Sequence, residues 1–152
     1  MANAYVDALR MLARRELSEA QVRQRLARRE HARDDIDSAV ARLLAERAID
    51  DARAAAAIAR SQASVKRRGK LRVLRQIEQA GIARATARRA TDDVFESIDP
   101  NALIEASLAK RLHGRERAGD KAELGRLYRY LIGQGFGPDE VMRALRVRSP
   151  SG

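Results

Sequence analysis

A chain of 152 residues with 31 Lys and Arg against 21 Asp and Glu carries a formal charge of +10, and it has no cysteine. The missing thiols exclude disulfides and thiolate metal sites and fit a reducing compartment. No apolar run approaches the roughly 20 residues of a membrane span, and Met1-Ala2-Asn3-Ala4-Tyr5 enters a helical pattern without a signal-peptide layout, so a cytoplasmic protein without membrane contact is expected.

Every stretch reads as helix. Tyr5, Leu9 and Leu12 trace one face at helical spacing. Ser18 stops that helix, and Ser18-Glu19-Ala20-Gln21 fits a capping box that starts the next. Val22 and Leu26 face a core, and the helix gives out near Arg29-Glu30-His31. Asp34-Asp35 opens a third helix through Ile36, Val40, Leu43 and Leu44 to about Arg47, its acids set against the positive N-terminal dipole.

Asp50-Asp51 begins a second segment. Its first helix, Ala52 to Ala59, is alanine-rich and should pack closely while burying little area. Gly69 interrupts the pattern after Lys66-Arg67-Arg68. A helix with Leu71, Val73, Leu74 and Ile77 ends at Gly81, a left-handed C′ position, and another runs from about Arg84 to Phe95.

Asp99-Pro100 caps the third segment, whose first helix shows Leu103, Ile104, Leu108 and Leu112. After a polar loop from Gly114 to Gly119, Asp120-Lys121-Ala122-Glu123 repeats the capping-box pattern, and Leu124, Leu127, Tyr128 and Leu131 follow. Gly133, Gly135 and Gly137 make a turn, and Pro138 starts a last helix ending near Val147.

One pattern recurs three times. Val22, Leu26, Glu30-His31, Ile36 and Ala39-Val40 match Val73, Ile77, Gly81-Ile82, Ala87 and Ala90-Thr91, then Leu127, Leu131, Gly135-Phe136, Val141 and Ala144-Leu145. The offsets are 51 and 54 residues. The expected fold is all-α: three tandem three-helix units forming an elongated array, straight or curved. The expected boundaries are 1–50, 51–98 and 99–148, with a disordered tail at 149–152.

Nothing points to catalysis, so no enzymatic activity, cofactor, metal or small-molecule substrate is expected. His31 and His113 lie at helix ends without a partner at metal-ligand spacing and read as surface polarity. The turn glycines lack the preceding strand and following Lys of a phosphate-cradling loop.

Charge is the stronger signal. Residues 1–50 hold 10 basic and 9 acidic side chains, residues 51–98 hold 11 and 5, and residues 99–152 hold 10 and 7. From Ala52 to Ile77 there is no acid, while Arg53, Arg60, Lys66, Arg67, Arg68, Lys70, Arg72 and Arg75 all fall there. Arg68, Arg72 and Arg75 share a face if one helix carries them. Such a surface suits nucleic acid or another acidic partner. Lys110, Arg111, Arg115 and Arg117 form a second candidate patch. Arg10, Arg14, Arg15, Arg23, Arg25, Arg28 and Arg29 alternate with acids and read as internally ion-paired. With Tyr128, Phe95 and Phe136 on apolar faces, only Tyr130 is placed to be an exposed stacking ring.

These residues in this order resemble the RecX regulators of bacterial RecA recombinase. The carriers are Tyr5-Val6-Asp7-Ala8-Leu9, Leu12-Ala13-Arg14-Arg15-Glu16, Ser18-Glu19, Val22-Arg23 to Leu26, Leu43-Leu44 and Ile49-Asp50-Asp51-Ala52-Arg53. Ala59-Arg60-Ser61, Gly69, Arg72 to Ile77, Gly81-Ile82, Leu124 to Leu131 and Gly135-Phe136 complete them. The chain departs from the family at Glu30-His31, where a glycine and an aromatic are usual, and at Ala54 to Ala59, where the family carries aromatics. The resemblance implies a negative regulator that binds the RecA–single-stranded-DNA filament in its groove, and the chain itself is expected to be monomeric. It further implies inhibition of ATP hydrolysis, strand exchange and coprotease activity, and so a role in homologous recombination, DNA repair and the SOS response. The implied partners are the RecA filament, single-stranded DNA and, as an extension, duplex DNA. The alternative is an autonomous DNA-binding protein of stacked helix-turn-helix-like units.

Overall fold

Local chemistry starts most of the helices. The Asn3 side chain accepts hydrogen bonds from the Tyr5 and Val6 N–H groups and begins α1 (Ala4–Arg14). At α2 (Glu19–Arg28) both halves of the capping box are present: Gln21 N–H donates to the Ser18 hydroxyl, and Ser18 N–H donates to the Gln21 side chain. Helix α3 (Arg33–Ala45) has no side-chain cap and carries Asp34 and Asp35 in its first turn. The chain continues through α4 (Asp51–Arg60), a π-helical turn (Ser61–Val65), α5 (Lys70–Gln79) and α6 (Arg84–Phe95). It ends with α7 (Pro100–Leu112), capped by Asp99, then α8 (Lys121–Gly133), capped by Asp120, and α9 (Pro138–Arg146). This computed structural model describes residues 3–150, and among the described residues all regular structure is helical, three α-helices to each of the three segments. Met1, Ala2, Ser151 and Gly152 lie outside the described residues, and with them parts of the N-terminal reading and of the tail. Within that tail, Ser149 and Pro150 are half-buried, and the Ser149 carbonyl accepts a hydrogen bond from Arg117 Nη1 at 3.0 Å.

The turn position singled out in each copy of the pattern has one backbone conformation. Glu30, Gly81 and Gly135 all have positive φ, at 65°, 81° and 99°. After the first and third, the next N–H reaches back into the preceding helix, His31 to the Leu26 carbonyl and Phe136 to the Leu131 carbonyl. This is the left-handed helix end that glycine favours, and the first copy adopts it with glutamate.

The chain packs as two compact bodies, and the division cuts through the middle segment. One body holds residues up to Ile58 together with Gln76–Ala90; the other holds Ala59–Arg75 together with residues from Thr91 onward. In the first, Leu17, Val22, Leu26, Val40 and Leu43 have no exposed surface and form the core of the α1–α3 bundle. In the second, Ile104, Leu108 and Leu131 are equally buried and pack with Leu127, Phe136, Val141 and Leu145. Each such leucine contributes about 2 kcal/mol by leaving water, so these clusters stabilise their bundles far more than the alanines of α4 can.

A repeated joint accounts for the division. In the first body the start of α2 meets the turn after α5: Ser18 Oγ donates to the Ala80 carbonyl at 2.5 Å, and a Cβ on Gly81 would sit 2.4 Å from the Ala20 Cβ. In the second body the start of α5 meets the turn after α8. There Gly69 N–H donates to the Gln134 carbonyl at 2.9 Å and Leu71 N–H to the Gly135 carbonyl at 3.0 Å. Residues 18 and 20 correspond to 69 and 71 under the 51-residue offset, and 80 and 81 to 134 and 135 under the 54-residue offset. The opening of one segment's second helix therefore docks on the next segment's central turn, twice over.

Two readings change. His31 is not surface polarity: its side chain is 10% exposed and its Nε2 lies 2.7 Å from the Oδ2 of buried Asp7, which also faces Arg29 at 3.6 Å. The contact spans 24 residues of sequence, beyond any helical spacing. At α8 the capping box closes on one side only. Glu123 N–H donates to Asp120, but the Glu123 carboxylate takes the Gly119 N–H at 2.7 Å and a two-pronged contact from Arg115 at 2.7 and 2.9 Å. A guanidinium is the stronger partner for that carboxylate, and it holds Glu123 well below the ordinary range, at about 2.

Candidate nucleic-acid interface

The basic segment is organised by the transition from α4 to α5. Exposed Arg60 closes α4. The π-helical turn then widens the chain: Lys66 N–H reaches the Ser61 carbonyl at 3.0 Å, and Arg68 N–H reaches the Gln62 carbonyl at 2.9 Å. Arg67 takes a left-handed φ of 55°. Gly69 is buried against the α8–α9 turn, where a Cβ would lie 2.5 Å from both the carbonyl carbon and the oxygen of Gly135. Only glycine permits that approach, and it fixes where α5 begins.

Lys66, Arg67 and Arg68 therefore stand on the turn, while Lys70, Arg72 and Arg75 stand on the first half of α5. This corrects the expectation that Arg68 shares a helix face with Arg72 and Arg75. They nevertheless stand near enough for the charges of Arg68 and Arg75 to act on Arg72. Burial first, then the charges of Arg68 and Arg75, push the Arg72 guanidinium below its ordinary value. It remains charged, because arginine starts so high. Arg72 Nη1 donates to the Gly133 carbonyl at 3.1 Å. That carbonyl ends α8, where the helix dipole is negative. Lys70 Nζ lies 5.7 Å from the centre of the Phe95 ring. Arg60 is not drawn into the cluster by any contact among the described residues.

Among the described residues, none of Arg60, Lys66, Arg67, Arg68, Lys70, Arg72 and Arg75 has a carboxylate within ion-pairing distance. Arg53, at the other end of the acid-free stretch, is paired with Glu16 at 2.5 Å. In the first segment Arg23 pairs with Glu19 at 3.0 Å and Asp37 at 2.7 Å, and Arg29 faces Asp7. Arg10, Arg14, Arg15, Arg25 and Arg28 have no such partner among the described residues, so pairing there is narrower than the charge alternation suggests.

The second patch divides. Arg115 is committed to Glu123 and also donates to the Leu112 carbonyl, and Arg117 donates to Ser149. Both serve the loop from Gly114 to Gly119 rather than an open anion site. Lys110 and Arg111, in the last turn of α7, are exposed. The Arg111 guanidinium lies over the Tyr130 ring, 3.2 Å from its centre. Tyr130 is itself an electrostatic neighbour of Arg72. The half-buried tyrosine thus links Arg111 to the Arg68–Arg72–Arg75 cluster, a connection that no sequence spacing announces.

The arrangement presents concentrated positive charge beside one aromatic ring. No group of three or more His, Cys, Asp or Glu residues able to hold a metal occurs among the described residues. Among them too, no helix is long and apolar enough to cross a membrane.

Comparison with known proteins gives a consistent result. A family model for the first three-helix domain of RecX matches residues 4–43. The regulatory protein RecX of Chromohalobacter salexigens is 34% identical over 139 residues, covering 91% of this chain and 88% of the relative. That of Halorhodospira halophila is 30% identical over 138 residues, covering 90% and 83%. Among solved structures, RecX from Lactobacillus salivarius superposes with a TM-score of 0.70 at 18% identity, covering 94% of this chain and 92% of that one. A further crystal structure of a regulatory protein RecX gives 0.73 at 17% identity, covering 94% and 70%. These two likenesses concern the fold.

Proposed function

The chain belongs to the RecX family, and from that membership we propose that it is a negative regulator of the RecA recombinase. It binds the RecA–single-stranded-DNA filament in its groove and inhibits ATP hydrolysis, strand exchange and coprotease activity. The family is one of regulatory proteins and not of enzymes. The observation that carries the reading is the Arg68–Arg72–Arg75 cluster, whose members repel one another and have no acidic partner. Nucleic-acid phosphate, or an acidic face of the filament, relieves that repulsion and releases counterions.

In this reading Lys66, Arg67, Arg68, Lys70, Arg72 and Arg75 make the central contact. Arg60 extends it along α4, and Lys110 and Arg111 beside Tyr130 extend it along α7. The three helical segments, 1–50, 51–98 and 99–148, act as linked weak contacts, so that binding by one raises the effective concentration of the others.

The test is a titration of the protein into RecA filaments on single-stranded DNA at low salt, following ATP hydrolysis. Suppression at less than one molecule per RecA is expected. Unchanged hydrolysis at every ratio refutes the proposal, and tight duplex binding without RecA would transfer the surface to an autonomous DNA-binding role.

A further inference from the structure

Helices α8 and α9 leave an open groove of about 480 Å³ between them. Leu124 and Tyr128 form one wall, Met142 and Leu145 the other, and Gly125 leaves the α8 side low. Leu145 belongs to the core, whereas Met142 is half exposed. The lining is thus apolar and faces water, at a size within the range of about 300–1,000 Å³ usual for ligand clefts. Lys121, Arg129 and Arg146 stand on its rim, and no acidic residue lines it. None of those three cations has an ion-pair partner among the described residues.

We propose that this groove is a docking site for an acidic amphipathic helix of a protein partner. Two walls of helix-borne side chains accept a third helix whose apolar residues recur at i, i+3 or i+4, and i+7. Acidic residues flanking that stripe meet the three rim cations and select such a helix against basic ones. A nucleic-acid backbone would satisfy the rim and leave Met142 and the half-buried Leu124 and Tyr128 uncovered, so the apolar lining argues for protein. The site draws on none of Arg68, Arg72 and Arg75 and stands or falls separately from the nucleic-acid reading.

The experiment uses the full chain and a fluorescein-labelled peptide of about 15 residues, with leucines at that helical spacing and glutamates elsewhere. Anisotropy is followed at physiological salt, with a scrambled peptide of the same composition and phosphatidylglycerol vesicles as parallel arms. Micromolar binding is expected. It should weaken at least tenfold in Gly125→Leu, which fills the floor, and in Met142→Glu, while Arg72→Ala leaves it unchanged. Gly125→Leu replaces a helical glycine beside only the tip of Arg129, so the fold survives and circular dichroism verifies it. Equal binding of the scrambled peptide would reduce the site to bulk charge and overturn the proposal. So would retention of affinity in Gly125→Leu, or vesicle binding without peptide binding, which would assign the groove to lipid.

Discussion

Replacing Gly135 with alanine tests the joint between the middle and last segments. A Cβ at this position would lie 2.3 Å from the Arg72 Cβ, 2.5 Å from its nitrogen and 2.9 Å from its Cα. These atoms belong to the first turn of α5, so no side-chain rotation removes the overlap and the helix start must retreat. Retreat breaks the Leu71 N–H bond to the Gly135 carbonyl and the Gly69 N–H bond to Gln134, worth about 1 kcal/mol each. The positive φ of 99° costs alanine a further ~1–2 kcal/mol. The sum is about 3–4 kcal/mol, a large share of the ~5–15 kcal/mol that holds a typical domain folded. Gly114→Ala is the matched control. Its φ of 85° imposes similar strain, but no atom lies within 4 Å of the added Cβ, so ~1–2 kcal/mol is expected. Urea unfolding followed by far-ultraviolet circular dichroism measures both, with a constant m-value as the condition for comparison. Equal losses in the two variants would show that the close approach of α5 to this turn contributes nothing.

The triple change Arg68→Ala, Arg72→Ala and Arg75→Ala should leave helicity intact and abolish inhibition of filament ATP hydrolysis. It should also flatten the salt dependence of single-strand binding by about 2 in logarithmic slope, near 0.7 for each lost phosphate contact; an unchanged slope would place the contact elsewhere. Glu30→Gly should raise stability by about 1 kcal/mol, since glutamate holds a φ of 65° that glycine adopts freely, and thermal unfolding checks it. Glu123 is held at about 2 against an ordinary 4.5, so its stabilising contribution is complete above pH 4.5 and is lost as pH falls from there toward 2. Glu123→Gln should accordingly be less stable than the parent at pH 7, with the difference closing across that window; a pH-independent difference would rule out the Arg115 ion pair as its source.

Features that depend on neighbours along the chain were legible in the sequence. The Ser18–Gln21 box, the Asp99 cap, the left-handed Gly81 and the turn at Gly135 each follow from a few adjacent residues. Features that depend on tertiary contact were not. The π-helical turn displaces Arg68 from the face it would share on an uninterrupted helix, and what fixes the start of α5 is the fit of Gly69 against Gly135 rather than any propensity. Asp7 and His31 find each other across two helices. Arg115 is drawn away from the second candidate patch because Glu123, expected to complete its own helix cap, bonds Gly119 and Arg115 instead, and Arg117 turns to the Ser149 carbonyl. The acid-free stretch contains Arg68, Arg72 and Arg75, because absence of counter-charge is a property that sequence does record.

The two joints share geometry and differ in chemistry, and the difference explains where the charge sits. In the first, a serine hydroxyl reaches the Ala80 carbonyl. In the second, glycine replaces that serine and its own N–H takes the Gln134 carbonyl, drawing the backbone of α5 onto the turn. The approach brings Arg72 within 3.1 Å of the Gly133 carbonyl, at the negative end of α8. That contact offsets part of the repulsion from Arg68 and Arg75 and lets three cations stand together without an acid among them. A carboxylate in the same place would neutralise the cluster, whereas a single neutral carbonyl holds one guanidinium and leaves the field of the others directed outward. In the proposed function an anionic partner meets an Arg72 already anchored, with less side-chain entropy to lose there on binding. Gly69 therefore bears on binding, in the proposed function, through the position it gives Arg72. Gly69→Ser, which restores the first joint's residue, should weaken nucleic-acid binding while every basic side chain remains, and undiminished binding in that variant would separate the joint from the cluster.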